Sequence, residues 1–109
     1  MSDPTNSSDP IALPNGASMA QYQRYIEALE AMHGWLDAGL EKNCFLMGEE
    51  VGELFGAVRR HSGDEKGTEA VAEELVDVLN YLLAIANRLE IDLEEAFRKK
   101  NARNQRRVW

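Results

Sequence analysis

Residues 48–60 read GEEVGELFGAVRR. The stretch contains no proline, and its apolar residues recur at helical rather than alternating spacing. A helix turns about 100° per residue, so positions three and four apart share a face. With Glu50 set at zero, Leu46, Glu53, Leu54 and Ala57 all fall within about 60° of it. Two carboxylates therefore share the stripe that such a helix would pack against its neighbours. Isolated buried carboxylates are costly and neutralise rather than stay charged. The stretch thus predicts a helix and asks what balances its charges.

Outward from there, helix formers dominate. No proline occurs from Met19 onward, and neither period-2 alternation nor a hairpin signal is present. The expected fold class is all-α, of four-helix-bundle type, with a core completed by oligomerisation. The first helix runs from about Ser18 to His33 and stops at Gly34. The second runs from about Leu40 to His61. The loop HSGDEKG comes next, and the third helix runs from about Thr68 to Leu89. The fourth runs from about Leu93 to Arg107, with Asp92 as N-cap and Glu95 at capping-box spacing. Residues 1–18 hold all three prolines with many Ser, Asp and Asn, and read as a flexible N-terminal leader to a single domain over 19–109.

A chain of 109 residues implies one domain with a modest core, which association would help. The net charge of −7 argues against a nucleic-acid polymer or a membrane surface as partner. The distribution is uneven. Residues 98–107 carry six basic residues and no acid, while the other six share 1–97 with all 19 acids, a net of −13 there. An acidic body with a basic tail can hold a cation in one place and phosphates in another. Cys44 is the lone cysteine, so no intrachain disulfide forms, and it reads as a small buried hydrophobe. No apolar run can span a bilayer and no signal-peptide core is present, which makes the cytoplasm the expected location.

The third helix repeats the carboxylate pattern. In EELVDVLNYLLAIA, residues 73–86, Glu74 and Asp77 stand three apart, with Val78, Tyr81 and Ile85 on the same side. Glu-x-x-Glu alone says little, and a solvated acidic face is its ordinary explanation. Two such pairs on consecutive helices, each on the apolar side, favour a bound cation. An all-oxygen set suits a hard ion such as Mg²⁺ or Mn²⁺. A di-iron bundle needs Glu-x-x-His on two helices, which two histidines at positions 33 and 61 do not supply.

These residues carry a resemblance. EEVGE, residues 49–53, and then after twenty residues ELVD, residues 74–77, resemble the E-E-x-x-E…E-x-x-D pattern of the all-α MazG-like nucleoside triphosphate pyrophosphohydrolases. That superfamily also holds dimeric dUTPases and dCTP pyrophosphatases. The stretch DVLNYLLAIANRLEIDLEEAFRKKNARNQRR resembles the family's segment C-terminal to the acidic motif, so the likeness covers about residues 40–107. It implies Mg²⁺-dependent cleavage of a nucleoside triphosphate between the α and β phosphates, giving a monophosphate and pyrophosphate. By matching positions, Glu50, Glu53, Glu74 and Asp77 would be the metal ligands. Glu49 would support them or orient water, sharing the catalytic work with Glu50. Relatives build their sites from paired subunits, which implies a homodimer or homotetramer.

The chemistry suits the residues without the resemblance. Phosphoryl hydrolysis needs charge neutralisation and positioning more than a covalent nucleophile. Lys100, Arg103, Asn104 and Arg107 form one helical stripe and resemble the family's K-x-x-x-N-x-x-R substrate contacts. The ordinary reading of such a tail is cations favoured at a helix C-terminus, and Arg106 fits either reading. Tyr81 could stack on a base or serve packing. Trp35 reads as core and Lys42 as surface, with the base pocket as the other option for Trp35. Gly48 and Gly52 would permit close helix packing. Two other functions compete: a non-enzymatic helical oligomerisation or adaptor module, and a phosphoribosyl-ATP pyrophosphohydrolase.

Overall fold

Ser18 opens the first helix with a complete capping box. Its hydroxyl accepts from the Gln21 N–H at 3.2 Å, and the Gln21 side chain accepts from the Ser18 N–H at 2.7 Å. A computed structural model describes residues 9–109 of the protein. In it the first helix, α1, spans Met19–His33 and ends at Gly34, whose φ of 73° is the left-handed conformation that glycine tolerates best. Helix α2 spans Leu40–Arg60, α3 spans Glu65–Arg88 and α4 spans Leu93–Arg106. No strand occurs among the described residues. The all-α expectation holds. Most of the expected leader is irregular chain, and residues 1–8 lie outside the described residues.

One boundary needs correction. The third helix begins at Glu65, not Thr68. Asp64 is its N-cap and accepts from the Gly67 N–H at 2.8 Å, so the cap draws Gly67 into the first turn. Asp92 caps α4 in the same way, accepting from the Glu95 N–H at 3.1 Å.

The helices α2 and α3 form an antiparallel hairpin across the short 61–64 connection, and this is the largest packing contact in the chain. Helix α1 crosses the C-terminal half of α3, and α4 packs on α1. The core is small: Ile26, Leu83 and Ala84, flanked by Met19, Tyr25, Leu29 and Leu93. A buried polar knot sits beside it. Gln23 donates to Asn87 at 3.1 Å and to the Ile91 carbonyl at 2.8 Å, and accepts from the Leu93 N–H at 3.1 Å. Asn87 donates back to the Gln23 carbonyl at 2.8 Å. The knot fixes where α4 leaves α3, since each polar group finds a partner only in this geometry.

The hairpin is apolar on its outer side as well. Phe45, Phe55, Leu75, Val76 and Leu79 are all exposed, Phe55 by 68%. Gly48 and Gly52 do not mediate close packing within the chain, because a Cβ added at either would meet nothing within 4 Å. Cys44 is exposed rather than buried, on an α2 face that no other helix covers.

Candidate active site

The hairpin brings the two acidic motifs together. Glu50 on α2 and Glu74 and Asp77 on α3 each present a carboxylate oxygen, and these oxygens lie within 4.8 Å of one another. Leu46 and Leu54 are half-buried and Ala57 is buried on the same stripe, so helix packing sets the separation. Glu74 Oε2 is buried without a hydrogen-bond partner. Burial pushes the Glu50 carboxyl above its ordinary value of 4.5, and the negative charges of Asp77, Glu74 and Glu53 push it the same way. An unpartnered buried oxygen and mutually repelling acids suit a divalent cation, since oxygen donors at this spacing can share one ion.

Glu53, the fourth expected ligand, is exposed and stands outside this trio, one turn further along α2. It contributes to the field at Glu50 but not to the close cluster. Glu49 and Glu73 are also exposed.

Beside the trio opens a cleft of about 750 Å³. Glu50 and Asp77 line it, with Tyr81 and Asn80 of α3, Lys42 and Asn43 of α2, and Glu30 of α1. The segment 34–39 that joins α1 to α2 forms another part of its wall. Burial and the nearby charges of Glu50 and Asp77 raise the Tyr81 pKa, so its hydroxyl remains a neutral donor inside the cleft. Trp35 is not a core residue. It is 54% exposed at the cleft rim, with its ring stacked on His33 at 4.5 Å between centroids. Lys42 is exposed, as expected, and also lines the cleft.

Glu30 and His33 do carry the Glu-x-x-His spacing, once. Glu30 is not free for a metal, being paired with Arg88 at 2.6 Å, and a single such pair falls short of the two that a di-iron site needs.

The basic stripe does not line this cleft within one chain. Lys100 and Arg103 are exposed on α4, and Asn104 donates to Asn101 at 3.1 Å. Arg107 lies 4.0 Å over the ring of Trp109. Sequence reasoning missed Asn43, Asn80, Glu30 and Arg88. The one signal was for Asn80, which lies three residues from Asp77 and so near its face.

Fold and site together define a helical protein with a carboxylate trio beside an open cleft. The chain belongs to the MazG family: residues 39–108 match the model of the MazG nucleotide pyrophosphohydrolase domain. No match is found among curated proteins. The matched segment holds α2, α3 and α4, and leaves α1 and most of the 34–39 wall outside it.

Proposed function

We propose that the protein is a Mg²⁺-dependent nucleoside triphosphate pyrophosphohydrolase. It splits (d)NTPs with water between the α and β phosphates, releasing a nucleoside monophosphate and pyrophosphate. Its role would be the removal of non-canonical or surplus nucleotides in the cytoplasm. Family membership supports the reaction class. The observation that carries the reading is the trio Glu50, Glu74 and Asp77 beside a nucleotide-sized cleft, with Glu74 Oε2 unpartnered.

Glu50, Glu74 and Asp77 would hold the ion, with Glu53 swinging in to complete the set. Mn²⁺ fits the same donors. Bound there, the cation supplies charge neutralisation for the phosphates. Glu49 and Glu50 orient the attacking water, and a carboxylate accepts its proton. Tyr81 faces the cleft beside the trio and contacts the nucleoside. Lys100, Arg103, Asn104 and Arg107 bind the phosphates from a second copy of the chain, in a homodimer or homotetramer. The exposed apolar outer face of the α2–α3 hairpin supports that assembly. The working unit is residues 19–109.

The same apolar face would suit an adaptor module, but an adaptor gives no reason for an unpartnered carboxylate oxygen inside the packing. The test is pyrophosphate release from a panel of nucleotides, phosphoribosyl-ATP included, with and without Mg²⁺. Metal-dependent release from (d)NTPs, lost in Glu50→Gln, is expected. An inert wild type, or a fully active Glu50→Gln, defeats the reading.

A further inference from the structure

Arg88 ends α3 as part of the stripe that carries Glu74, Asp77 and Tyr81, about four turns from the first acid. Its guanidinium is spent entirely inside the protein. Nη1 and Nη2 form a two-pronged pair with Glu30 at 3.1 and 2.6 Å. Nη1 also donates to the Ala84 carbonyl at 3.1 Å. Nε donates to the Ala38 carbonyl at 2.7 Å, and Nη2 to the Trp35 carbonyl at 3.3 Å. All five N–H groups of the fork have an acceptor. Side-chain exposure is 15% for Arg88 and 9% for Glu30, so the pair is largely withdrawn from water.

Two of the five bonds hold the 34–39 segment, which lines the cleft along with Glu50 and Asp77. The wall is also held by the stack of the Trp35 ring on His33 and by backbone bonds from Gly34 N–H to the Ala31 carbonyl at 3.2 Å, Ala38 N–H to the Trp35 carbonyl at 3.1 Å and Asn43 N–H to the Gly39 carbonyl at 3.1 Å. Asn43 donates to the Ala38 and Gly39 carbonyls at 3.3 and 2.8 Å, and the Trp35 N–H donates to the Glu30 carbonyl at 2.8 Å. No apolar residue of the segment is buried. Its position is therefore set by polar bonds from α3, α2 and α1 together with the His33 stack, and Arg88 links it to the same helix that carries Glu74 and Asp77.

We propose that Arg88 is a positioning residue that sets the nucleoside end of the cleft and thereby base selection. The inference rests on the cleft being the nucleotide site proposed for this protein. None of the Arg88 hydrogen bonds goes to Glu50, Glu74 or Asp77. Through the carbonyls of Trp35 and Ala38 it holds the backbone that carries the Trp35 ring, itself stacked on His33, in the wall of the cleft that Tyr81 also lines. Loss of those two bonds should weaken nucleoside binding and blur discrimination between bases, while leaving bond cleavage intact.

The discriminating variant is Arg88→Lys. Lysine keeps a charge beside Glu30, so no buried carboxylate is left alone, but its compact ammonium cannot serve Glu30 and both carbonyls together. The wild type and the variant are assayed on four (d)NTPs, with amide hydrogen exchange measured over residues 34–43. Expected for the variant are a KM about tenfold higher on the best substrate, kcat within about twofold, and a narrower spread of kcat/KM across bases. Exchange in the segment should quicken. The double variant Glu30→Gln/Arg88→Gln removes both charges at once and should show the same split, which covers the case of a variant that folds poorly. Unchanged KM and base ratios in Arg88→Lys, with an active wild type, overturn the proposal alone. A fall in kcat at constant KM also overturns it. A wild type inert on every nucleotide instead defeats the functional reading beneath it.

Discussion

Glu50 on α2 and Asp77 on α3 bring carboxylate oxygens within 4.8 Å across the helical hairpin, and Glu74 joins them at the same spacing. Like charges this close repel, and the repulsion shows as a raised pKa at Glu50, where burial contributes most. In metal-free protein the folded state therefore binds a proton at pH values where the unfolded chain has released it. The linked stability is full below the ordinary value of 4.5 and is lost as pH rises through the raised folded value. Without metal, Glu50→Gln should thus melt higher than wild type at pH 7.5 by a few degrees, and its advantage should shrink toward pH 4.5. Thermal melts in chelator across that range check this. A gap that is constant with pH would remove Glu50 as the source.

Added Mg²⁺ should reverse the disadvantage. An ion that binds only the folded state stabilises it by about 2.7 kcal/mol at a hundred times Kd, a melting shift of about 10–20 °C for a domain this small. The shift should vanish in Asp77→Asn and Glu74→Gln. It should weaken on acidification, because Glu50 must shed its proton for the ion to bind. Calorimetric titration at two pH values reads both effects. A shift that survives either substitution would place the ion elsewhere.

Phe55 tests the proposed assembly. It is 68% exposed, so Phe55→Asp removes little from the single chain's own packing. The variant should shift toward monomer in light scattering and lose pyrophosphate release, since the α4 stripe does not line the cleft of its own chain. Helical content should be unchanged by circular dichroism. A monomeric variant with full activity would show that the acidic cleft works without a second copy.

The helices are legible in the sequence because their ends carry local chemistry. Ser18 with Gln21, Gly34 and Asp92 each act within a few residues, so sequence alone places those boundaries. Asp64 caps earlier than expected because Gly67 reads as loop until the cap is seen to hold it. The acidic trio is legible because helical period puts Glu74 and Asp77 on one face, and Glu50 on the packing face of its partner. The Arg88–Glu30 pair is not, since 58 residues separate its members and no period links them. Trp35 and Cys44 defy their sequence reading for a related reason. Apolar character predicts burial, but this chain leaves whole apolar faces uncovered, and the cleft rim takes Trp35.

The turn between α3 and α4 offers a stability test away from the site. Glu90 has a φ of 55°, the one non-glycine residue with positive φ among those described. It closes α3: the Ile91 N–H donates back to the Ala86 carbonyl at 2.9 Å, and the Glu90 N–H to that of Asn87 at 3.2 Å. A side chain in this conformation costs about 1 kcal/mol or more, which glycine avoids. Glycine also loses more freedom on folding, so the net gain is smaller than the strain. Glu90 is exposed and makes no ion pair among the described residues, so little else is lost. Glu90→Gly should therefore raise the melting temperature by about 2–5 °C while leaving Mg²⁺ binding unchanged. A lower melting temperature would mean that the chain entropy of glycine outweighs the relief of strain.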